Sequence, residues 1–255
     1  MNYKEAFDFD GKIVVVTGAG GSIGREICSA FAKCGANVVV ADLNLQRAEE
    51  TLSALPDVPG GHSVVFVDVT SVDSVDEMVK TVVNKYGRID FLSNHAGNII
   101  RKPVVDITEE EWNTVIDVNL KGVFNVAQAV GRVMLKQQFG RIVNTASVAS
   151  MRGHKNLSSY CAAKSGVEQL TKVLAHEWAT EGITVNAISP GYVITNQTAE
   201  MLANPEKAKE LLAKIPVGRF GKEADIAGPI LFLCSPLASY ITGHNLAIEG
   251  GRLID

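Results

Sequence analysis

No apolar run in this sequence approaches the roughly 18 residues that a membrane-spanning helix requires, so a helical membrane protein is excluded. The opening residues, Met1 to Asp8, lack the basic-then-apolar order of a secretory signal, which predicts a cytoplasmic protein. Basic excess is missing too. A net charge of −4 offers no surface for nucleic acid. Cysteine is scarce, and Cys28, Cys34, Cys161 and Cys234 show no Cys-x-x-Cys spacing, so neither a disulfide framework nor a metal site is expected. His95 has no second histidine at metal-ligand spacing and reads as a packed or hydrogen-bonded residue. No linker rich in proline, glycine and serine divides the 255 residues, which predicts one α/β domain.

What is present is core material, with 46% of the chain apolar and 20% charged. Short β-branched runs alternate with helical periodicity, the pattern of a parallel sheet covered on both faces. Ile13 to Thr17 is apolar at nearly every position and predicts a first strand buried on both sides. Behind it, Thr17-Gly18-Ala19-Gly20-Gly21-Ser22-Ile23-Gly24 leads into Ile23, Ile27, Ala30, Phe31 and Cys34 at helical spacing. A glycine-rich turn between strand and helix lets backbone N–H groups approach a pyrophosphate, although a plain tight turn has the same composition.

Further strands are expected at Asn37 to Ala41, Val64 to Val67, Ile89 to Ser93 and Arg141 to Thr145. They deliver Asp42, Asp68, Asn94 and Ser147 to their C-terminal ends. Ligands in open α/β sheets bind outside that edge, so these residues and Gly18 converge on one site. Asp42 can accept from an adenosine ribose and repel a 2′-phosphate, favouring NAD, or it can cap the helix beginning at Asp42-Leu43-Asn44. Thr70 is expected to cap a helix that closes at Gly87. Thr108-Glu109-Glu110-Glu111 has the form of a capping box and opens one long helix through Val130, with polar Asn119 inside its apolar series.

The reacting groups come from Ser147 and Ser158-Ser159-Tyr160-Cys161-Ala162-Ala163-Lys164. A spacing of four places the Tyr160 phenol and the Lys164 ammonium on one helix face. A nearby cation favours the phenolate, so Lys164 is expected to lower the Tyr160 pKa and allow proton exchange with a substrate hydroxyl. Ser147 would donate to the oxygen on which charge changes. Taken alone, a buried tyrosine above a surface lysine gives the same pattern.

Thr17-Gly18-(x3)-Ser22-Ile23-Gly24, Asp68, Asn94-His95-Ala96-Gly97, Asn119, Ser147, Tyr160-(x3)-Lys164 and Pro190-Gly191-(x3)-Thr195 together resemble the short-chain dehydrogenase/reductase family. The likeness runs from about Phe9 to Gly251. It implies a Rossmann-like, doubly wound sheet of seven parallel strands with helices on both faces, in a single domain. It also implies Asn119, Ser147, Tyr160 and Lys164 as the catalytic set, with NAD as cofactor. Gly18, Gly21, Ser22, Ile23 and Gly24 would meet the diphosphate, Asp42 and Leu43 the adenosine ribose, and Asp68 and Val69 the adenine. Asn94 would meet the strand-end backbone beside the cofactor, Lys164 would hold the nicotinamide ribose, Val193 and Thr195 would approach the carboxamide, and Ala96, Gly97, Pro190 and Gly191 would also belong to the cofactor site. Asn119 would position a water linking Lys164 to solvent. The family usually has glycine at Ser22 and asparagine at His95. Neither departure touches the reacting groups. Helix pairing in the family implies a homotetramer.

Substrate choice rests on the strand-end loops. Asn98-Ile99-Ile100-Arg101 and Met151-Arg152-Gly153-His154-Lys155-Asn156 are poor linings for an acyl chain but suit a hydroxylated carboxylate. Ile99-Ile100-Arg101, Pro190-Gly191-Tyr192-(x2)-Thr195-Asn196-(x1)-Thr198, Ile215-Pro216-(x1)-Gly218-Arg219-Phe220-Gly221 and Gly228-Pro229 are similar to the gluconate 5-dehydrogenase and 2-deoxygluconate 3-dehydrogenase branch. The expected substrate is a small sugar acid or related polyol, met by Arg101, Ser147, Arg152, His154, Tyr160 and Tyr192. A 3-oxoacyl-[acyl-carrier-protein] reductase is the runner-up, and a non-catalytic dinucleotide sensor a third reading. The charged segment at about 195–220 is expected to be a substrate lid or a surface helix pair.

Overall fold

Thr17, Asp42, Asn94 and Thr145 end four neighbouring parallel strands at the same edge of one sheet. A computed structural model describes residues 3, 5–195, 198–199 and 203–254. Its seven strands are β1 Ile13–Thr17, β2 Asn37–Asp42, β3 Ser63–Phe66, β4 Phe91–Asn94, β5 Gly140–Thr145, β6 Ile183–Pro190 and β7 Asn245–Ile248. They pair in parallel in the order β3-β2-β1-β4-β5-β6-β7. The order reverses between β1 and β4, where an α/β sheet opens a crevice at its carboxyl edge.

The predicted burial of β1 on both faces follows from its alternation. Val14 and Val16 join one core with Ile27 and Phe31 of α1 (Ser22–Lys33), while Ile13 and Val15 join the other. Phe9, Phe31 and Phe91 pack ring against ring at 5.0–5.8 Å in the first core. Truncating buried Phe31 to Ala there would cost about 3–5 kcal/mol. The second core takes Met78 and Val82 of α3 (Val72–Tyr86).

Between them, α2 spans Leu45–Ser53 and starts at Asn44, whose side chain accepts from Arg47 N. Asn44, not Asp42, is therefore the cap, and the Asp42 carboxylate stays at the strand edge. Ser71, not Thr70, caps α3 by accepting from Ser74 N. Gly87 closes α3 at φ 76°.

The expected long helix after Thr108 is broken. The capping box is complete, with Thr108 and Glu111 bonded reciprocally, and α4 runs Glu109–Ile116. A π-helical turn at Asp117–Lys121 follows, and α5 covers Gly122–Gln137. Such turns insert one residue into a helix and re-aim the side chains on it, here Asn119. Then α6 (Ser158–Trp178) lies against β6, α7 spans Pro205–Leu212, and α8 spans Glu223–Cys234. Of the charged 195–220 segment, residues 196–197 and 200–202 lie outside the described residues. No helix among the described residues is long and apolar enough to cross a membrane.

Candidate active site

The strand ends open on a cleft of about 1420 Å³. At one end lies the glycine turn. Gly18 has φ +67°, and a Cβ there would stand 2.9 Å from the Ala96 Cα, so the approach of the β1 and β4 ends demands glycine. Gly18, Gly21, Ser22 and Ile23 line the cleft with Asp42 and Leu43. Gly24 does not line it. A side chain at Gly24 would strike the Gly18 carbonyl, so it works beneath the turn by letting α1 pack closely. Asp42 accepts from Gly20 N at 2.8 Å and Asn44 N at 2.9 Å, which fixes its carboxylate at the rim. Asp68 and Val69 line the wall, and Asp68 is held by Thr70 N and Oγ1 at 2.9 and 2.7 Å.

Asn94 is buried at the strand end, donating to the Val123 carbonyl at 2.9 Å and accepting from Thr17 Oγ1 at 3.3 Å, so its side chain ties β1 and β4 to α5 and does not line the cleft. Its neighbours Ala96 and Gly97 do line the cleft. His95 Nδ1 lies 3.0 Å from Thr145 Oγ1, a hydrogen-bonded placement. Burial, reinforced by the Lys164 charge, pushes its pKa down to about 4, so the imidazole is neutral at pH 7.

Ser147, from the turn just after β5, and Tyr160 and Lys164, from α6, come together in the cleft. Lys164 is buried and donates to the Thr145 carbonyl at 2.7 Å. Burial lowers its pKa to about 8, still charged at pH 7. Its ammonium stands 5.6 Å from the centroid of the Tyr160 ring. The expected depression of the tyrosine is absent: burial raises the Tyr160 pKa, opposed by a hydrogen bond with Ser147 and by the charge of Arg101. The spacing placed the Lys164 cation beside the ring, but the charge that opposes the rise is that of Arg101, and desolvation outweighs it.

Asn119 donates to the carbonyls of Asn98 and Val115 at 2.9 and 3.0 Å. Its Oδ1 is buried and has no hydrogen-bond partner among the described residues. A Cβ on Gly97 would stand 2.8 Å from that oxygen and 3.7 Å from Lys164 Nζ, so the bare glycine keeps a space between amide and ammonium. The orphaned oxygen, the strained Gly18 turn and the bare Gly97 fit the dinucleotide expected from the sequence, with the diphosphate at the turn and the reacting ring near Lys164.

At the far end, Pro190, Gly191, Tyr192, Val193 and Thr195 form one wall and Arg101, Arg152 and His154 another. The two basic loops are joined, since Lys102 N donates to the Asn156 carbonyl at 3.0 Å. Lys102 Nζ also holds both oxygens of Glu111 at 3.0 and 2.9 Å, anchoring the Arg101 loop to α4. Sequence reasoning missed Thr145, the acceptor for Lys164, and Arg252, which lies buried in the cleft just past β7. The strand-end rule could have found Arg252, since Gly250-Gly251-Arg252 follows the last strand. Among the described residues, no group of three or more His, Cys, Asp or Glu could hold a metal ion.

Residues 18–252 match a family described as enoyl-(acyl carrier protein) reductase. A 3-oxoacyl-[acyl-carrier-protein] reductase of Thermotoga maritima is 42% identical over 96% of this chain and 99% of its own. A 2-dehydro-3-deoxy-D-gluconate 5-dehydrogenase of Escherichia coli is 35% identical over 97% of this chain and 98% of its own. An Agrobacterium tumefaciens crystal structure, provisionally named a 2-deoxy-D-gluconate 3-dehydrogenase and holding NADP, superposes with a TM-score of 0.91. It is 38% identical and covers 98% of this chain and 99% of its own. These likenesses run the length of the sheet: the chain belongs to the short-chain dehydrogenase/reductase family, oxidoreductases acting on CH–OH groups.

Proposed function

We propose that this protein reversibly transfers a hydride between NAD and a secondary hydroxyl or ketone of a sugar acid or related polyol. The observation that carries this reading is the company Tyr160 keeps: Ser147 and Lys164 share its cleft with the basic groups Arg101, Arg152 and His154. Such a lining suits a hydroxylated anion, whose carboxylate a guanidinium can bind through paired hydrogen bonds. Gly18, Gly21, Ser22 and Ile23 would hold the diphosphate, Asp42 and Leu43 the adenosine ribose, and Val193 and Thr195 the carboxamide. When bound, the dinucleotide supplies the hydride acceptor or donor.

The chain's own residues handle the proton. In oxidation Tyr160 Oη, as phenolate, takes the proton from the substrate hydroxyl, and in reduction it returns one. Ser147 Oγ donates to the same substrate oxygen and fixes its position. Lys164 stabilises the phenolate electrostatically and holds the nicotinamide ribose. Asn119 Oδ1 takes a water that carries the proton between Lys164 and solvent, which supports its place opposite Gly97. The segment at about 195–220, part of the same domain, covers the substrate; Lys207, Leu211 and Lys214 of this segment line the cleft.

A second reading, reduction of carrier-bound 3-oxoacyl chains, is favoured by the 42% identical relative. Asp42 and the net charge of −4 weigh against it, because an acidic carrier needs basic surface. Exposed Phe124 on α5 and Val173 on α6 support helix pairing into a homotetramer. Four free cysteines fit a reducing, cytoplasmic setting. The deciding assay follows nicotinamide absorbance with D-gluconate and NAD, and with a 3-oxoacyl thioester and NADPH. Turnover of the acid is expected; turnover of the thioester alone would refute the substrate assignment.

A further inference from the structure

Arg252 is 5% exposed, yet its Nε and Nη1 have no hydrogen-bond partner among the described residues. A guanidinium does not lose its proton in a protein, so this is a permanent buried charge. Glu249, three residues before it, directs Oε2 to Leu253 N at 2.9 Å, and no ion pair joins Glu249 to Arg252. What meets the guanidinium is the face of Tyr192, 4.1 Å from its centroid, which orients the fork without satisfying its N–H groups. Buried charges in folded proteins are otherwise paired, so a fork held open in a ligand cleft calls for an anion from outside.

The surroundings agree. Arg152 Nη1 donates to the Arg252 carbonyl at 3.4 Å, which brings a second guanidinium into the same part of the cleft. Burial and then the charges of Arg252 and Arg152 depress the pKa of His154, so its ring is a neutral neighbour. His154 Nε2 is also buried without a partner among the described residues. All four residues line the cleft that contains Tyr160. Arg101 is exposed, as is Arg152, but its charge acts on the Tyr160 phenol.

We propose that Arg252, oriented by Tyr192, is the seat of the substrate carboxylate, with Arg152 closing the clamp and His154 bonding an adjacent hydroxyl. This rests on the sugar-acid reading and refines it, because Arg252 rather than Arg101 then separates an acid from a neutral polyol. Arg252 follows β7 and Tyr160 lies on α6, so the carboxylate end and the oxidised carbon are held by different elements.

The test titrates the full-length enzyme, without dinucleotide, with D-gluconate and with D-glucitol, which differ only at the terminal carbon. In R252Q, gluconate binding should weaken about 10- to 100-fold, the loss expected for charged hydrogen bonds, while glucitol binding stays within about twofold. R252K keeps the charge but loses the fork and should fall between R252Q and wild type for gluconate alone. NADH affinity, read by fluorescence, should not move. Unchanged gluconate affinity in R252Q, or equal weakening of both ligands, overturns the seat, as does a wild type that binds no gluconate. Should R252Q fail to fold, R252K decides by the same comparison. If gluconate binds through Arg252 but is never oxidised, the seat stands and the substrate reading falls.

Discussion

The Lys164 ammonium lies 5.6 Å from the centroid of the Tyr160 ring while its hydrogen bond goes to the Thr145 carbonyl at 2.7 Å. The lysine is therefore aimed by β5 and stands beside the tyrosine ring, without a direct bond to the phenol. Burial keeps the Lys164 pKa at about 8, so the charge is present at pH 7 and fades as the pH rises through 8. Lys164→Met removes the charge at every pH. Turnover should fall about 10²-fold or more, with weaker dinucleotide binding. Dinucleotide titration together with kcat would check this, and wild-type affinity in the variant would remove Lys164 from the ribose site.

Arg101 acts on Tyr160 by charge. It pulls down a phenol that burial has raised, so Arg101→Ala should let the tyrosine pKa climb further. Oxidation requires the phenolate, and its rate rises with pH through that pKa. The rising limb of the kcat profile should therefore move to higher pH in the variant. An unmoved limb with a changed KM would make Arg101 a binding residue only.

Cofactor choice depends on Asp42, whose carboxylate is pinned at the rim by Gly20 N and Asn44 N. Its charge would oppose a 2′-phosphate, so kcat/KM should favour NAD over NADP, and Asp42→Ala should narrow the gap. Equal use of both by the wild type would contradict this. The NADP in the Agrobacterium tumefaciens structure makes the comparison informative.

Assembly is read by mass. Light scattering at micromolar protein should give four chains, and introducing a charge at exposed Phe124, as Phe124→Glu, should lower the mass. A monomeric wild type would refute the helix-pairing proposal.

Much of this was visible in the residues. The unbroken β-branched run of Ile13–Thr17 fixed β1 because both its faces meet a core. The π turn was hidden because Val115, Asn119 and Val123 are spaced by four, which an α-helix and a helix carrying one extra residue both satisfy. Thr70 and Ser71 are both good caps, and only the register of α3 chooses between them. The Tyr160–Lys164 pairing could be read from spacing. The direction of the tyrosine shift could not, since it depends on burial that only the folded cleft creates. Arg252 looked like tail sequence, and only the fold shows it buried with its fork open.

The central claim is that Tyr160 moves the proton. Tyr160→Phe keeps the ring against Lys164 and removes only the hydroxyl. The measurement is kcat for oxidation of D-gluconate by the variant, alongside its NADH affinity. A fall of about 10²- to 10⁴-fold with cofactor affinity retained is the predicted result. Turnover within about tenfold of wild type would contradict the assignment.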